Sequence, residues 1–285
     1  MSRLYVRVNE SPGLDRLGPA LGGRVRGVRR YLVVAAGLAF ALWNAYWLYQ
    51  LVLYAGGGFY HNDWWALSGL DPAAPYRTDG FHWSVPAAWL WAYAVVPLGF
   101  GLWSALHLVA LATLPPRVAL VGLVTFPFWA DVASGNMLTF ALVLAWHALA
   151  GRRWAVVGFV VLAALIPRPL MLPVLVWLLW RSWDARLAFA GATAVVIAAG
   201  LATGTLGTWI GLMLGTSSAF WYTSPWNIGP SSFIGAAWIP VGLALGAIAT
   251  WRGHLGLASL AVSPYLIHYY AVFALLELRI KSIPR

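Results

Sequence analysis

Three of the chain's eight acidic residues, Asp63, Asp71 and Asp79, and two of its six histidines, His61 and His82, fall within one polar stretch, Gly56–Pro86 (GGGFYHNDWWALSGLDPAAPYRTDGFHWSVP). A carboxylate there can take a proton from a hydroxyl, and an imidazole can give or accept one. A cation stands at Arg168, between Pro167 and Pro169, and another imidazole at His268, soon after Ser263-Pro264. A carboxylate base, a guanidinium and an imidazole form a set that activates a hydroxyl and holds a phosphate.

Each residue also has a structural reading. Asp63 is a solvated loop carboxylate, the N-cap of a helix over WWALSGL, or a general base, and Asp131 is the next candidate base. Asp71-Pro72 and Asp79-Gly80 read as turns. No acidic residue stands in the Trp154–Trp180 segment that carries Arg168, so the sequence suggests an external anion for that guanidinium. His268 reads equally as a packing residue or a ligand contact. His107 and His147, inside apolar runs, read as structural.

Composition sets the context for this chemistry. At 285 residues, 61% hydrophobic and 9% charged, the chain is far below the roughly 25% charged residues of soluble domains. An ionised carboxylate at the bilayer centre costs about 2.5–3.5 kcal/mol, so acids placed just past a long apolar run are solvated or used. The net charge of +10 comes from basic residues beside apolar segments, which is the pattern of cytoplasmic loops and not of a nucleic-acid surface. The chain has no cysteine, which excludes disulfides, thiolate nucleophiles and thiolate-bound metals. No D-x-D, G-x-x-x-x-G-K-[ST] or H-E-x-x-H occurs, so nucleotide-sugar, ATP and zinc-hydrolase chemistry is unsupported and no cofactor or metal is expected.

The expected fold class is all-α, a polytopic integral membrane protein of about ten transmembrane or re-entrant helices. Residues 1–30 form a basic cytoplasmic tail, 31–279 a single transmembrane domain with outer loops near 56–86 and 204–232, and 280–285 a second cytoplasmic tail. Tyr31–Ala55 is an uncleaved signal anchor that delivers Gly56–Pro86 outside. The next span lies near Gly99–Leu114 and returns to Arg117. Between Arg117, Arg152/Arg153, Arg181/Arg186 and Arg252, and again up to Arg279/Lys281, each apolar segment must leave and come back to one side. The outward tips are then Asp131–Asn136, Arg168, the loop before Ser232, and Ser263–His268. Half-hairpins of twelve to fourteen residues reach only about 20 Å against a hydrocarbon core of about 30 Å. Their tips should lie in a protein-lined cavity, where irregular backbone is tolerated.

Four short pieces, in order on this topology, resemble one family. Asn62-Asp63-Trp64-Trp65 with Asp71-Pro-Ala-Ala-Pro75-Tyr76 and Phe81-His82-Trp-Ser-Val-Pro86 is similar to the first outer loop of bacterial polyprenyl-phosphate-mannose-dependent mannosyltransferases. These are C-type multi-spanning glycosyltransferases, including those that elongate phosphatidylinositol mannosides. Ser134-Gly135-Asn136 opening a span, Arg168-Pro169 followed by Leu-Met-Leu-Pro173, and Ser263-Pro264 through His268-Tyr269-Tyr270 extend the likeness. The family's usual Lys before proline is Arg168 here, and the chain is shorter than its members.

The resemblance implies that Asp63 is the base toward an acceptor hydroxyl and that Arg168 and His268 lie near the donor phosphate. It also implies that Asn136, Tyr269, Tyr76 and His82 contact substrate, in a metal-independent, inverting transfer. The expected function is transfer of a hexose, mannose by resemblance, from a polyprenyl-phosphate donor to a lipid or glycan acceptor. The site would face outward from the cytoplasmic (inner) membrane, with membrane lipids as the other partners. The alternative is a non-catalytic membrane protein that binds or carries a lipid phosphate. The topology predicts that single cysteines at Ser68, Ser134 and Ser231 react with an impermeant thiol reagent from outside and that one at Ser182 does not. Outside labelling of Ser182 would overturn the hairpin scheme.

Overall fold

Proline and glycine cut the apolar chain into short helices. Pro116, Pro127 and Pro173 each sit in the first turn of a helix, where a missing N–H leaves no bond unmade. The computed structural model describes residues 31, 34–35, 37–50, 95–215 and 227–282. The Gly56–Pro86 stretch, with Asp63, Tyr76 and His82, lies outside the described residues, as do the 1–30 tail and residues 216–226 of the loop before Ser232. The chain divides into two compact units, residues 1–49 and 50–285.

In the first unit the described residues are helical, chiefly in helix α1 (37–50), whose last residue falls in the second unit. In the second the chain forms α2 (Phe100–Ala112), α3 (Pro116–Leu123), α4 (Phe126–Ser134), α5 (Leu138–Leu149) and α6 (Arg153–Leu165). A 3-10 turn, Pro169–Met171, leads into α7 (Leu172–Arg181). The long α8 (Trp183–Ala202), α9 (Thr205–Gly215), α10 (Trp238–Trp251) and α11 (Leu255–Val262) follow, and a 3-10 helix over His268–Ser282 closes the described chain. All regular structure among the described residues is helical, as the sequence indicates.

Two helical stretches, Trp183–Ala202 and Ser231–Trp251, are long and apolar enough to cross a membrane. A third would be α3 with α4, which are bent by 71° at their junction. The sequence makes the segment between Arg117 and Arg152/Arg153 one out-and-back excursion with its tip at Asp131–Asn136. The structure has three helices there, because Pro127 and the break around Val124–Thr125 interrupt the outward limb.

The basic markers gather at one end of the second unit through a chain of contacts. Thr113 Oγ1, at the end of α2, lies 3.2 Å from His147 Nε2 at the end of α5, and the His147 ring meets Trp154 at the start of α6. Arg153 pairs with Asp184 at 2.7 Å, tying the start of α6 to the start of α8. Arg279 lies over Trp146, and Glu277, two residues earlier, reaches His254 before α11 at 2.8 Å. Arg117, Arg152, Arg153, Arg181, Arg186 and Arg252 are all exposed along these helix ends, which form a basic face.

The core is built about α5. Leu138, Ala141, Leu142 and Ala145 are completely buried, packed with Phe159 of α6 and Phe273 of the terminal 3-10 helix. At the other main seam, α10 meets α11 through Gly242 and Gly246, four residues apart on one helix face. A Cβ at Gly242 would collide with the Ala261 carbonyl, and one at Gly246 with the Val262 side chain. Small residues at this spacing let two helix backbones approach closely.

Burial also corrects two of the labelling sites. Ser134 and Ser231 are buried, so cysteines there would be shielded. Ser232 is exposed and serves in place of Ser231, and exposed Ala150 marks the basic face. Ser232→Cys is expected to label from outside and Ala150→Cys only after permeabilisation; the reverse pattern would invert the topology. At the helix seam, Gly246→Leu should destabilise by about 1–3 kcal/mol through overpacking, whereas Leu243→Ala, on the exposed side, should leave thermal unfolding in detergent unchanged. Equal melting of both variants would remove the close packing from the account.

Candidate functional site

The Ser134-Gly135-Asn136 segment is the turn between α4 and α5. Gly135 takes the left-handed conformation, φ 73°, that ends α4. The Asn136 N–H donates to the Asp131 carbonyl and the Gly135 N–H to the Val132 carbonyl, both at 3.1 Å, which is a Schellman closure. The chain then starts α5 at once, leaving the first amides of that helix in need of acceptors. Asp131 supplies them. Its Oδ2 accepts from Thr139 N at 2.7 Å and its Oδ1 from Leu138 N at 3.2 Å.

Helix α2 grips the same turn. Trp103 Nε1 donates to the Gly135 carbonyl at 3.0 Å. The His107 ring lies between the Trp103 carbonyl, 2.8 Å from Nδ1, and the Asn136 carbonyl, 2.7 Å from Nε2. Asp131 Oδ2 is 3.6 Å from Nε2, and Phe140 packs on both the Trp103 and His107 rings. Asp131 and His107 are fully buried. Asp131 is therefore a helix cap beside the His107 ring, and its oxygens are occupied in a way that disagrees with its reading as a second general base. His107 and His147 have the structural roles the sequence indicates.

Asn136 is buried, with its side-chain oxygen accepting from Met137 N at 2.7 Å and its carbonyl held by His107. Arg168 is half-buried in extended backbone (φ −120°, ψ 132°), as the residue before a proline must be. Its carbonyl accepts from Met171 N at 2.9 Å, and the turn it begins packs on α11. His268 is buried, edge-on to Phe126 with ring centroids 5.6 Å apart, and Tyr269 packs on buried Tyr270. Helix α4 thus runs between the His268 segment at its start and the Asn136 turn at its end. Arg168 is linked to the His268 segment through α11, which ends at the Ser263-Pro264 break.

These breaks occupy corresponding positions. Helices α5, α6 and α11 all have one end on the basic face, and at the other end stand Asn136, Arg168 and Ser263–His268 respectively. The 12 residues of α5 and 13 of α6 place the first two about 18–20 Å from that face.

Two features escaped the sequence reading. One is the Trp103–His107 grip. The other is a clasp at Asn227, whose side-chain oxygen accepts from Gly229 N at 2.9 Å and Leu266 N at 3.1 Å, while its amide donates to Ser231 Oγ at 2.8 Å. Ser231 Oγ in turn donates to the Pro264 carbonyl. The end of the preceding loop is thereby fastened to the break that leads to His268. An Asn two residues before Gly229-Pro230 is the only local signal, and it does not name a partner 37 residues away.

The other described acids are also engaged. Both oxygens of Asp184 contact Arg153, at 2.7 and 2.9 Å. Glu277 accepts from Leu257 N at 2.8 Å and meets His254 Nδ1 at 2.8 Å. Each described carboxylate serves the first turn of a helix or a basic partner there. No protein-family model, curated protein or solved structure matches the chain.

The capping role of Asp131 is testable by stability. Asp131→Ala should lower stability by about 1–3 kcal/mol, the cost of leaving buried helix amides without an acceptor; Asp131→Asn should recover part of the loss. Thermal unfolding in detergent measures both, and a wild-type melting temperature for Asp131→Ala would refute the cap.

Proposed function

We propose that the chain is a multi-spanning membrane glycosyltransferase of the C type. It moves a hexose, mannose by the resemblance of its loops, from polyprenyl phosphate to a hydroxyl of a lipid or glycan acceptor. Asp63 takes the hydroxyl proton as the acceptor oxygen bonds to the anomeric carbon from the face opposite the phosphate. The bond from that carbon to the phosphate oxygen breaks, its electron pair leaves with polyprenyl phosphate, and the anomeric configuration inverts. Arg168 takes up the charge developing on the phosphate and His268 donates a hydrogen bond to it. Asn136, Tyr269, Tyr76 and His82 contact the substrates. The membrane is the cytoplasmic one, crossed about ten times, with the site opposite the basic face.

The observation that carries this reading is the commitment of the described carboxylates. Asp131, Asp184 and Glu277 each hold a helix start or a basic partner, so a general base is sought among the acids of Gly56–Pro86, where Asp63 stands in the family-like motif. The breaks bearing Asn136, Arg168 and His268 add support. They gather irregular backbone and polar side chains at one end of otherwise apolar helices, where a substrate headgroup would be received.

Purified protein should release hexose from a polyprenyl-phosphate hexose in the presence of a lipid acceptor. Asp63→Asn should lower turnover by roughly 10²–10⁴-fold while leaving binding of a short-chain polyprenyl phosphate intact. Arg168→Ala should weaken that binding, with Arg168→Lys recovering only part because an ammonium lacks the planar fork. Near-normal turnover in Asp63→Asn would remove it as the base, and unchanged affinity in Arg168→Ala would make that residue structural. Binding without turnover in the wild type would favour a lipid-phosphate carrier.

A further inference from the structure

The corner between α7 and α8 carries a second feature with its own chemistry. Three exposed arginines stand on the helix ends around it, and each guanidinium is held in place. Arg181 lies on the face of Trp177, 4.2 Å from the ring centroid. Arg186 donates from Nε to the Leu179 carbonyl at 2.8 Å and from Nη2 to the Trp180 carbonyl at 3.0 Å, capping the end of α7. Arg153 is fixed in a two-point contact with Asp184. With Asp184 the one acid of the group, the cluster keeps an excess of two positive charges. Beside it Trp180 and Trp183 are 81% and 66% exposed, a degree of exposure that large indoles keep where they meet an amphipathic surface.

The geometry points to this corner as a binding site for the headgroup of an anionic phospholipid, with the phosphodiester between Arg181 and Arg186 and the Trp180 and Trp183 rings against the glycerol and upper acyl chains. Guanidiniums already held by stacking and by carbonyls lose little freedom when an anion arrives. They present planar donor pairs that fit phosphate oxygens. The two indoles distinguish a lipid from free phosphate, because a soluble ion gives them nothing to cover. This inference rests on the membrane reading alone and not on glycosyl transfer, so the hexose-release assay neither supports nor threatens it.

The test is native mass spectrometry of the full chain, equilibrated in detergent with equal amounts of phosphatidylglycerol and phosphatidylcholine. The wild type is expected to retain phosphatidylglycerol preferentially, and Arg181→Gln to lower that preference about fivefold, the size of one basic residue's attraction to an anionic surface. Arg186→Gln should act in the same direction, but it also loosens the end of α7, so Arg181→Gln is the deciding variant. Trp180→Ala with Trp183→Ala should reduce retention of both lipids. Equal retention of the two lipids by the wild type would overturn the proposal, as would a preference that Arg181→Gln leaves intact. Displacement of phosphatidylglycerol by inorganic phosphate, at an ionic strength where sodium chloride does not displace it, would show a soluble-anion site and overturn the lipid assignment.

Discussion

The buried carboxylate of Asp131 is the interaction on which the second unit depends. A carboxyl group fully withdrawn from water is tolerated only where its oxygens find hydrogen-bond partners. Here two amides at the start of α5, at the positive end of that helix, provide them, with the His107 ring 3.6 Å away. The arrangement fixes where α5 begins and how it is aimed. Because the core residues of α5 are completely buried against α6 and the terminal 3-10 helix, the positions of those neighbours follow from it. Helix α2 joins the same node through Trp103 and His107, so one side chain organises four elements.

The same physical device recurs wherever a described acid occurs. Glu277 receives the Leu257 amide at the start of α11, and Asp184 lies in the first turn of α8. Two bases serve a helix end, with Arg181 in the last turn of α7 and Arg186 reaching the final carbonyls of that helix, whereas Arg152 and Arg153 stand at the start of α6, Arg153 beside Asp184. Acids at helix starts and bases at helix ends complement the helix dipole. In an apolar chain with few charges, Asp131, Glu277 and Arg186 are spent on backbone groups that would otherwise lack partners.

Short helices leave broken backbone, and broken backbone needs polar surroundings. In a chain proposed to span a membrane such breaks are stable only inside protein or against a water-filled or substrate-filled cavity. The Asn136 turn is satisfied internally by Trp103, His107 and Asp131. The Ser263–Leu266 break is fastened by Asn227 and Ser231. Arg168, between its two prolines, stands at the third. Structure and proposed function thus share one cause, since the segments too short to cross carry the polar groups.

The sequence by itself determined the helical class and its punctuation. Proline and glycine act through local sterics, so the breaks at Ser134-Gly135-Asn136, Pro167–Pro169 and Ser263-Pro264 were legible, as were the arginines that gather on one face. What only the tertiary structure decided is which polar groups are already occupied. The bonds from Asp131 to the start of α5, from α2 to the Asn136 turn, and from Asn227 to the Ser263–Leu266 break join residues that no periodic pattern connects. Ser134 and Ser231 looked like exposed loop positions and are buried because these long-range bonds draw their loops inward. Asp131 looked like a reserve base and is a cap. The difference is physical: a residue's conformational preference is set by its immediate neighbours, whereas the partner of a buried polar group is set by where the whole chain brings a donor or an acceptor.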